Sequence, residues 1–226
     1  MSAHLGPVIK LVVGVLLFAG LPLLGWGVMD ISGFIRNPVR LAYIGVAVLL
    51  QVLIVIRMPE IGRKPDKGKK TVQCQRMAVL MLQVISLAIV IGAPYSDRSG
   101  VATFGAGNAI RYLGLALFAL GLAAMNWAEA KLGKQFSIQA TIQEGHTLVT
   151  EGLYRYVRHP RYLGIVVNNV GPSLVFRSWL ALVLVAVLTG VLLWRIHDEE
   201  ALMRQEFGAE WQSYSSRSWR LVPFVY

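Results

Sequence analysis

The sequence predicts an all-α integral membrane protein, a bundle of about six transmembrane helices in which the fifth and sixth form a helical hairpin, with a cytoplasmic loop and a C-terminal helix. Of its 226 residues, 55% are hydrophobic and only 15% are charged, whereas a soluble globular domain carries about 25% charged residues. The mean hydropathy is +0.56. The apolar residues also fall into long runs, and a helix needs about 17–25 such residues to cross a bilayer.

Six apolar tracts mark the expected spans. They lie near residues 6–29, 39–57, 77–94, 109–130, 162–176 and 178–197. The first tract is too long for a signal peptide and lacks a small-residue cleavage site before Asp30, so we expect a retained span. The length fits one membrane domain, with spans and a basic loop in residues 1–108 and the polar motifs in residues 109–226.

Proline and glycine predict where the first three spans bend or end. Pro22, flanked by Gly20 and Gly25, predicts a bend in the first span. Pro38 predicts the start of the second span and Pro94 the end of the third. The fourth span is rich in glycine and alanine, which let neighbouring helices approach closely in a bilayer.

The fifth tract is short and polar for a span. Its 15 or so residues give roughly 22 Å of helix against a hydrocarbon core of about 30 Å. It also carries Asn168 and Asn169, so we expect it to pack inside protein. The two amides either bond to neighbouring helices or line a cavity. Arg177-Ser178 predicts the tight turn into the sixth span.

The basic residues predict the orientation of the bundle. Seventeen of the 22 lysines and arginines fall at one end of the predicted spans, and Arg36, Arg40, Arg98, Arg111 and Arg177 fall at the other. The positive-inside rule therefore places both termini and the loop after the fourth span in the cytoplasm. The basic segment 57–76 either only fixes this topology or also contacts anionic lipid. The net charge of +10 is thus explained without a nucleic-acid partner.

Two polar segments interrupt the apolar pattern and predict a site. One is HTLVTEGLYRYVRHPRYLG at residues 146–164, and the other is RIHDEE, which begins at Arg195 at the end of the sixth span. The hairpin brings both to one end of the bundle. The helix start after Pro160 offers free amides for a carboxylate, and Glu199 offers a carboxylate for an ammonium or sulfonium group. The simpler interpretation of Arg195 and Glu199 is an i,i+4 ion pair, but ionisable residues at membrane depth tend to mark function.

Other site chemistries lack their motifs. No HExxH or paired acidic spacing predicts a metal, so we expect none. No GxSxG, P-loop or GxGxxG motif occurs. Cys74 is the single cysteine, which excludes a CxxC site.

The two polar segments resemble the signature of the isoprenylcysteine carboxyl methyltransferases and their prokaryotic and phospholipid methyltransferase relatives. The matching residues are His146-Thr147-Leu148-Val149, Gly152, Tyr154, Arg158-His159-Pro160, Tyr162, Gly164, Glu199-Glu200, Phe207-Gly208, Glu210 and Tyr214. The resemblance covers residues from about 109 to 223.

The resemblance implies methyl transfer from S-adenosylmethionine, with S-adenosylhomocysteine as product, inside a membrane bundle. It makes the polar loop a cofactor-binding loop, with Arg195 and Glu199 as catalytic residues. The implied cofactor contacts are His146, Thr147, Leu148, Val149, Tyr154, His159, Pro160, Arg161, Tyr162, Glu199 and, upstream, Gln139 or Thr141. Arg161 occupies a variable slot, where its backbone matters more than its side chain. Arg195 and Asn168 are expected to face the acceptor.

The acceptor and two competing functions stay open at this point. The bilayer is one expected partner, and a carboxylate, amine, thiol or phenol on a lipophilic or small molecule is the other. The C-terminal part of membrane sterol reductases looks similar and binds a nicotinamide dinucleotide, whose phosphates Arg155, Arg158 and Arg161 could meet. A non-catalytic helical scaffold is the second alternative.

Overall fold

The computed structural model describes residues 5–57, 70–71, 75–105, 107–133, 141–142 and 147–226, and these form a helical bundle. The helices are α1 (Leu5–Val15), α2 (Leu21–Trp26), α3 (Ile31–Ile35), α4 (Pro38–Arg57), α5 (Gln75–Ser99), α6 (Asn108–Leu132), α7 (Pro160–Val175) and α8 (Trp179–Ser215). A two-residue antiparallel ladder, β1 (Lys70–Thr71) with β2 (Thr141–Ile142), joins the loops that follow α4 and α6. The remaining basic loop, Gln139 and His146 lie outside the described residues.

Four helices, α4, α5, α6 and α8, are long and apolar enough to cross a membrane. The bent segment from Leu11 to Ile35 makes a fifth candidate if its two arms count as one span. Helix α7 has 16 residues and is too short to count by the same criterion. The predicted multi-span helical bundle is confirmed, whereas the exact number of six is not.

The first tract bends where a glycine permits it. A π-helical turn (Leu16–Gly20) leads into α2, and the chain then turns by 85° before residues 28–35. The turn lies at Gly27, whose φ is +107°, a conformation that side chains with a Cβ rarely adopt. The bend predicted near Pro22 is therefore present but is centred five residues later.

The prediction that Pro94 ends the third span is wrong. Helix α5 continues through Pro94 to Ser99. A proline removes only one helical hydrogen bond, and side chains from other parts of the chain hold the last turn in place. Asp97, in that turn, accepts hydrogen bonds from Arg111 on α6 at 2.7 and 2.8 Å and from Arg177 at 3.0 and 3.3 Å.

The fifth tract packs inside the protein as predicted, against α6. Nine residues of α7 are buried, and the two backbones meet at glycines. A Cβ on Gly121 would lie 2.3 Å from the backbone nitrogen of Asn168. Asn168 Nδ2 donates to the carbonyl of Phe118 at 3.1 Å, and Asn169 Nδ2 donates to that of Ile165 at 2.8 Å. Asn168 thus bonds to a neighbouring helix, which is the first of the two alternatives, whereas Asn169 bonds within α7 itself.

We expect Gly121→Ala to destabilise the bundle, because α6 and α7 would have to separate to admit the methyl group. Overpacking of this kind costs about 1–3 kcal/mol, or about 2–12 °C in melting temperature for a chain of this size. The measurement is thermal unfolding in detergent. Gly190→Ala on α8 is the matched control, since a Cβ there meets nothing within 4 Å. Equal melting temperatures for the two variants would contradict the close contact.

The sixth tract and the predicted C-terminal helix form one element. Helix α8 has 37 residues, with a non-helical residue at Gly208 (φ +50°). Arg177 makes the predicted turn between α7 and α8 with a φ of +51°. After α8 the chain folds back, and Trp219 forms a parallel bridge with Val157. The tail therefore covers the loop before α7.

Candidate active site

The N-terminal end of α7 faces the middle of α8, and four side chains meet there. His159 is the N-cap of α7 and Tyr162 lies in its first turn. Their rings stack with centroids 5.5 Å apart and planes 5° from parallel. The Tyr162 hydroxyl donates to Glu199 Oε1, and Arg195 Nε donates to the same oxygen at 2.9 Å. The hairpin thus brings the two polar segments together as predicted.

Glu199 is the centre of this cluster. Its Oε1 accepts the hydrogen bonds from both Tyr162 and Arg195, while its Oε2 lies 3.8 Å from His159 Nδ1. The Arg195 guanidinium also lies over the Tyr162 ring, 5.5 Å from its centroid. The Arg195–Glu199 pair is an i,i+4 pair, but only 3% of the Arg195 side chain is exposed. This burial distinguishes the pair from a solvated surface ion pair.

Glu200 anchors a second set of contacts beneath the loop. Arg158 Nε donates to Glu200 Oε1 at 2.8 Å, and Arg220 Nε lies 2.9 Å from Glu200 Oε2. Arg158 also donates to the carbonyls of Ser215 and Ser218. His159 Nε2 lies 3.4 Å from Glu200 Oε1. One buried carboxylate therefore fixes the loop before α7, helix α8 and the tail.

Backbone hydrogen bonds hold the same three parts together. The amides of Arg158 and His159 donate to the carbonyls of Trp219 and Arg220 at 2.8 and 3.2 Å, and the amide of Trp219 donates to Tyr156 at 2.8 Å. The polar backbone groups of the loop are thus hydrogen-bonded to the tail. This pairing fixes the direction in which α7 begins.

Tyr154 joins the loop to the end of α6. Its hydroxyl donates to the carbonyl of Ala128 at 3.3 Å, and its own carbonyl accepts from Tyr214 at 2.7 Å. Burial raises the pKa of Tyr154 above its ordinary value, so the hydroxyl stays protonated at neutral pH. Gly152, two residues earlier, has a φ of +63° and packs against the ring of Trp127. A Cβ at Gly152 would lie only 2.6 Å from that ring.

The other predicted site residues are less central. Thr147, Leu148 and Val149 form a partly exposed segment without regular secondary structure, and Pro160 is the first residue of α7. Arg161 donates from Nε to Glu129 Oε1 on α6 at 2.7 Å, so its side chain contributes to helix packing. Asn168 bonds to Phe118, more than one helical turn from Tyr162. The roles of these residues, and of Gln139, Thr141 and His146, stay predictions.

Sequence reasoning missed the residues that position the cluster. Glu129, Trp127, Arg220 and the partnership of Glu200 with Arg158 were not predicted. Glu129 had a signal, as a charged residue at the end of an apolar helix. Arg220 had none, because only the fold brings the tail beside α8.

The cluster suits S-adenosylmethionine in charge and in donor set. His159 places Nε2 3.4 Å from Glu200 Oε1 and turns Nδ1 towards Glu199 Oε2 at 3.8 Å, so its ring lies directly beside Glu199. Glu199 Oε2 is the carboxylate oxygen without a close donor among the contacts above, and a carboxylate there suits an ammonium or sulfonium group. The site residues therefore fit the implied cofactor.

A nicotinamide dinucleotide phosphate fits less well. Of the three arginines that its phosphates would need, Arg158 is bound to Glu200 and Arg161 to Glu129. Using them for phosphate would break two buried ion pairs and leave Glu129 without its arginine, which is costly.

An apolar groove adjoins the site between α4 and α6. Its volume is about 560 Å³. It is lined by Leu50, Leu53, Ile54, Leu120, Leu122, Ala123, Ala124, Asn126, Trp127 and Leu153. Leu153 belongs to the loop that carries Tyr154, and Trp127 directly precedes Ala128, which Tyr154 contacts. The groove therefore reaches the loop that carries Tyr154, one of the predicted site residues.

Comparison with known proteins identifies relatives of this chain. The model of the isoprenylcysteine carboxyl methyltransferase (ICMT) family matches residues 113–205. A probable protein-S-isoprenylcysteine O-methyltransferase from Oryza sativa subsp. indica is 31% identical over 123 residues, which cover 51% of this chain and 62% of the rice protein. Protein-S-isoprenylcysteine O-methyltransferase B from Arabidopsis thaliana is 33% identical over 123 residues, covering 51% and 60%. The chain thus spans about three fifths of these relatives.

The fold is shared more widely than the sequence. The solved structure of the eukaryotic intramembrane Ras methyltransferase ICMT superposes with a TM-score of 0.55 at 19% identity, over 97% of this chain and 75% of that one. At this identity the match concerns the fold alone. The predicted resemblance to the isoprenylcysteine carboxyl methyltransferase family is therefore confirmed by sequence over residues 113–205, and the helical membrane fold is similar to that of the solved structure over 97% of this chain.

Proposed function

We propose that this protein is an S-adenosylmethionine-dependent membrane methyltransferase whose acceptor is a lipophilic carboxylate of the isoprenylcysteine type. The observation that carries the proposal is the buried His159–Tyr162–Glu199–Arg195 cluster at the junction of α7 and α8. It lies inside the segment that matches a family whose named members are methyltransferases.

The residues have distinct roles in this proposal. Glu199 and His159 hold the cofactor, Glu199 through Oε2 and His159 through its ring, while Tyr162 keeps Glu199 in place. Bound S-adenosylmethionine would supply an electrophilic methyl carbon on a positively charged sulfur. Arg195 holds the acceptor carboxylate, because a planar guanidinium matches the two oxygens of a carboxylate.

The protein then contributes alignment and exclusion of water. A carboxylate is already nucleophilic when ionised, and Arg195 favours the ionised form by its charge. Burial of the cluster keeps water from the reacting atoms, and fixing both reactants in contact accounts for a large part of the rate. No covalent protein intermediate is needed.

The groove between α4 and α6 supports a lipidic acceptor. Its lining is apolar apart from Asn126, whose side-chain amide donates to the carbonyl of Leu122 at 2.7 Å. Three lining side chains, Leu53, Leu120 and Leu153, are also exposed at the outer surface, so a tail can enter from the bilayer. The orientation belongs to this proposal: the excess of basic residues places the site end in the cytoplasm.

Calorimetric titration of the detergent-purified protein with S-adenosylhomocysteine tests the cofactor. We expect micromolar affinity, and we expect His159→Ala to lose it because the variant removes the ring that stacks on Tyr162 beside Glu199. Nicotinamide dinucleotide phosphate is the control ligand, and His197→Ala is the control variant, since that side chain is 81% exposed. Binding of the dinucleotide alone would transfer the protein to the reductase class.

A methylation assay with S-prenylated cysteine carboxylates of increasing chain length tests the acceptor. We expect kcat/KM to rise with each added isoprenoid unit, because each buried CH₂ contributes about 0.8 kcal/mol. Matched prenyl amines and thiols are the comparison substrates. Equal activity on water-soluble acceptors, with no effect of chain length, would reject the lipophilic carboxylate and leave the cofactor result standing.

A further inference from the structure

The end of the bundle opposite the proposed active site carries a second buried charge cluster, which the proposed function does not use. Its centre is Asp97, whose side chain is 1% exposed. Around it stand Arg111 and Arg177, which donate hydrogen bonds to both of its oxygens, and Arg40, whose Nε lies 3.6 Å from Oδ2. Three guanidinium groups thus share one carboxylate.

A second carboxylate, that of Asp30, does not neutralise the excess positive charge of these arginines. Asp30 lies 3.8 Å from Arg98 Nε, and Arg98 also donates to the carbonyl of Trp26 at 2.5 Å. The Arg40 guanidinium lies 4.2 Å from the centroid of the Trp26 ring. The group around Asp97 and the Asp30–Arg98 pair are therefore neighbours. Four arginines against two aspartates leave two net positive charges around one bend of the chain.

The cluster is too confined to be balanced by mobile salt alone. The side chains of Arg111 and Arg40 are 5% and 13% exposed, and Arg40 Nε is buried without a hydrogen bond in the described part of the chain. Buried unbalanced charge is expensive. Arg177 is moreover held at a φ of +51°, a strained conformation for a residue with a Cβ, which tends to persist where function requires it.

The depth of the cluster fits a lipid head group. Three exposed aromatic side chains, Tyr95, Tyr112 and Trp179, flank Asp97, Arg111 and Arg177 along the chain. Tyrosine and tryptophan collect at the membrane–water interface, so these residues place the cluster at head-group level. Arg98 and Arg177, with 40% and 28% of their side chains exposed, form its accessible side.

We propose that this cluster, defined by Arg40, Arg98, Arg111 and Arg177 with Asp97 and Asp30, binds the phosphate of an anionic lipid in the leaflet opposite the proposed active site. The phosphate supplies the missing negative charge and planar guanidinium groups match its oxygens. A free phosphate has the same recognition chemistry, so the experiment has to separate the two sources.

The test is thermal unfolding of delipidated protein in detergent, titrated with phosphatidylglycerol. We expect stabilisation on the order of 5 °C at saturation, and a much smaller shift with phosphatidylcholine, whose choline cancels the charge. Glycerol phosphate and inorganic phosphate at the same concentrations are the soluble arms. A shift of equal size with either soluble anion would overturn the lipid assignment.

Arg40→Gln separates a lipid site from a structural clamp. Asp97 keeps its hydrogen bonds to Arg111 and Arg177 in this variant, so we expect an unchanged or higher melting temperature without lipid and loss of at least half of the phosphatidylglycerol shift. Arg36→Gln, which removes an exposed charge at the same end, should keep the full shift. A lower melting temperature for Arg40→Gln with an undiminished lipid shift would show a clamp and overturn the proposal.

Discussion

Arg195→Gln is expected to lower the rate of methyl transfer by about 10²–10³-fold, the cost of removing one preorganised charged contact from a buried site, while S-adenosylhomocysteine affinity stays nearly unchanged. Glutamine can still donate to Glu199, so the carboxylate keeps its position. What the variant loses is the positive charge and the fork of donors that we assign to the acceptor carboxylate.

Glu199→Gln is expected to give the complementary result. It keeps an acceptor for Tyr162 and Arg195 but removes the negative charge, and the loss of a hydrogen bond to a charged group of about 1.5–3 kcal/mol corresponds to about 10–100-fold in affinity. Titration calorimetry and a turnover assay on the same preparations measure both variants. Asp198→Asn is the matched control, since this neighbouring carboxylate faces the exposed His197 at 3.6 Å.

The pair of variants tests the division of roles directly. If Arg195→Gln and Glu199→Gln weaken S-adenosylhomocysteine equally, Arg195 belongs to the cofactor site and the acceptor is held elsewhere. If neither variant weakens the binding of S-adenosylhomocysteine, the ligand does not contact Glu199.

Glu200→Ala is expected to be the most destabilising single change at this end of the bundle. It leaves Arg158, with 10% of its side chain exposed, and Arg220 without their shared carboxylate. Removing one partner of a buried ion pair costs about 3–5 kcal/mol, or about 6–20 °C in melting temperature for a chain of this size. The loop before α7 and the tail after α8 should lose protection together.

Thermal unfolding and hydrogen exchange measure this effect. Glu210→Ala, which removes an exposed carboxylate on the same helix, is the control, and exposed carboxylates contribute little to stability. Unchanged exchange at residues 156–159 in Glu200→Ala would show that the backbone pairing with Trp219 and Arg220 holds the loop without the ion pairs.

Several features followed from sequence because they depend on local or periodic properties. Apolar runs set the positions of α4, α6 and α8, since a bilayer admits only a helix with all its backbone groups bonded internally. The shortness of the fifth tract and its two asparagines predicted a helix packed inside protein, and the α7–α8 hairpin placed His159 and Tyr162 beside Arg195 and Glu199. The resemblance of the two motifs predicted the family whose model matches residues 113–205.

Other features required contacts between parts of the chain far apart in sequence. Pro94 failed as a helix end because Asp97, three residues later, is tied to Arg111 and Arg177. The bend moved from Pro22 to Gly27 because only glycine tolerates the φ of +107° found there. Neither the pairing of Asp97 with the two arginines nor the position of the bend can be read from a local sequence pattern.

What the sequence by itself determined is therefore the class of protein, the approximate course of its spans and the identity of the cluster at the junction of α7 and α8. What only the tertiary structure decided is which charges share a partner: Glu200 with Arg158 and Arg220, Glu129 with Arg161, and Asp97 with three arginines. The physical reason is that hydropathy and helical period act along the chain, whereas the pairing of buried charges depends on which helix ends the fold brings together.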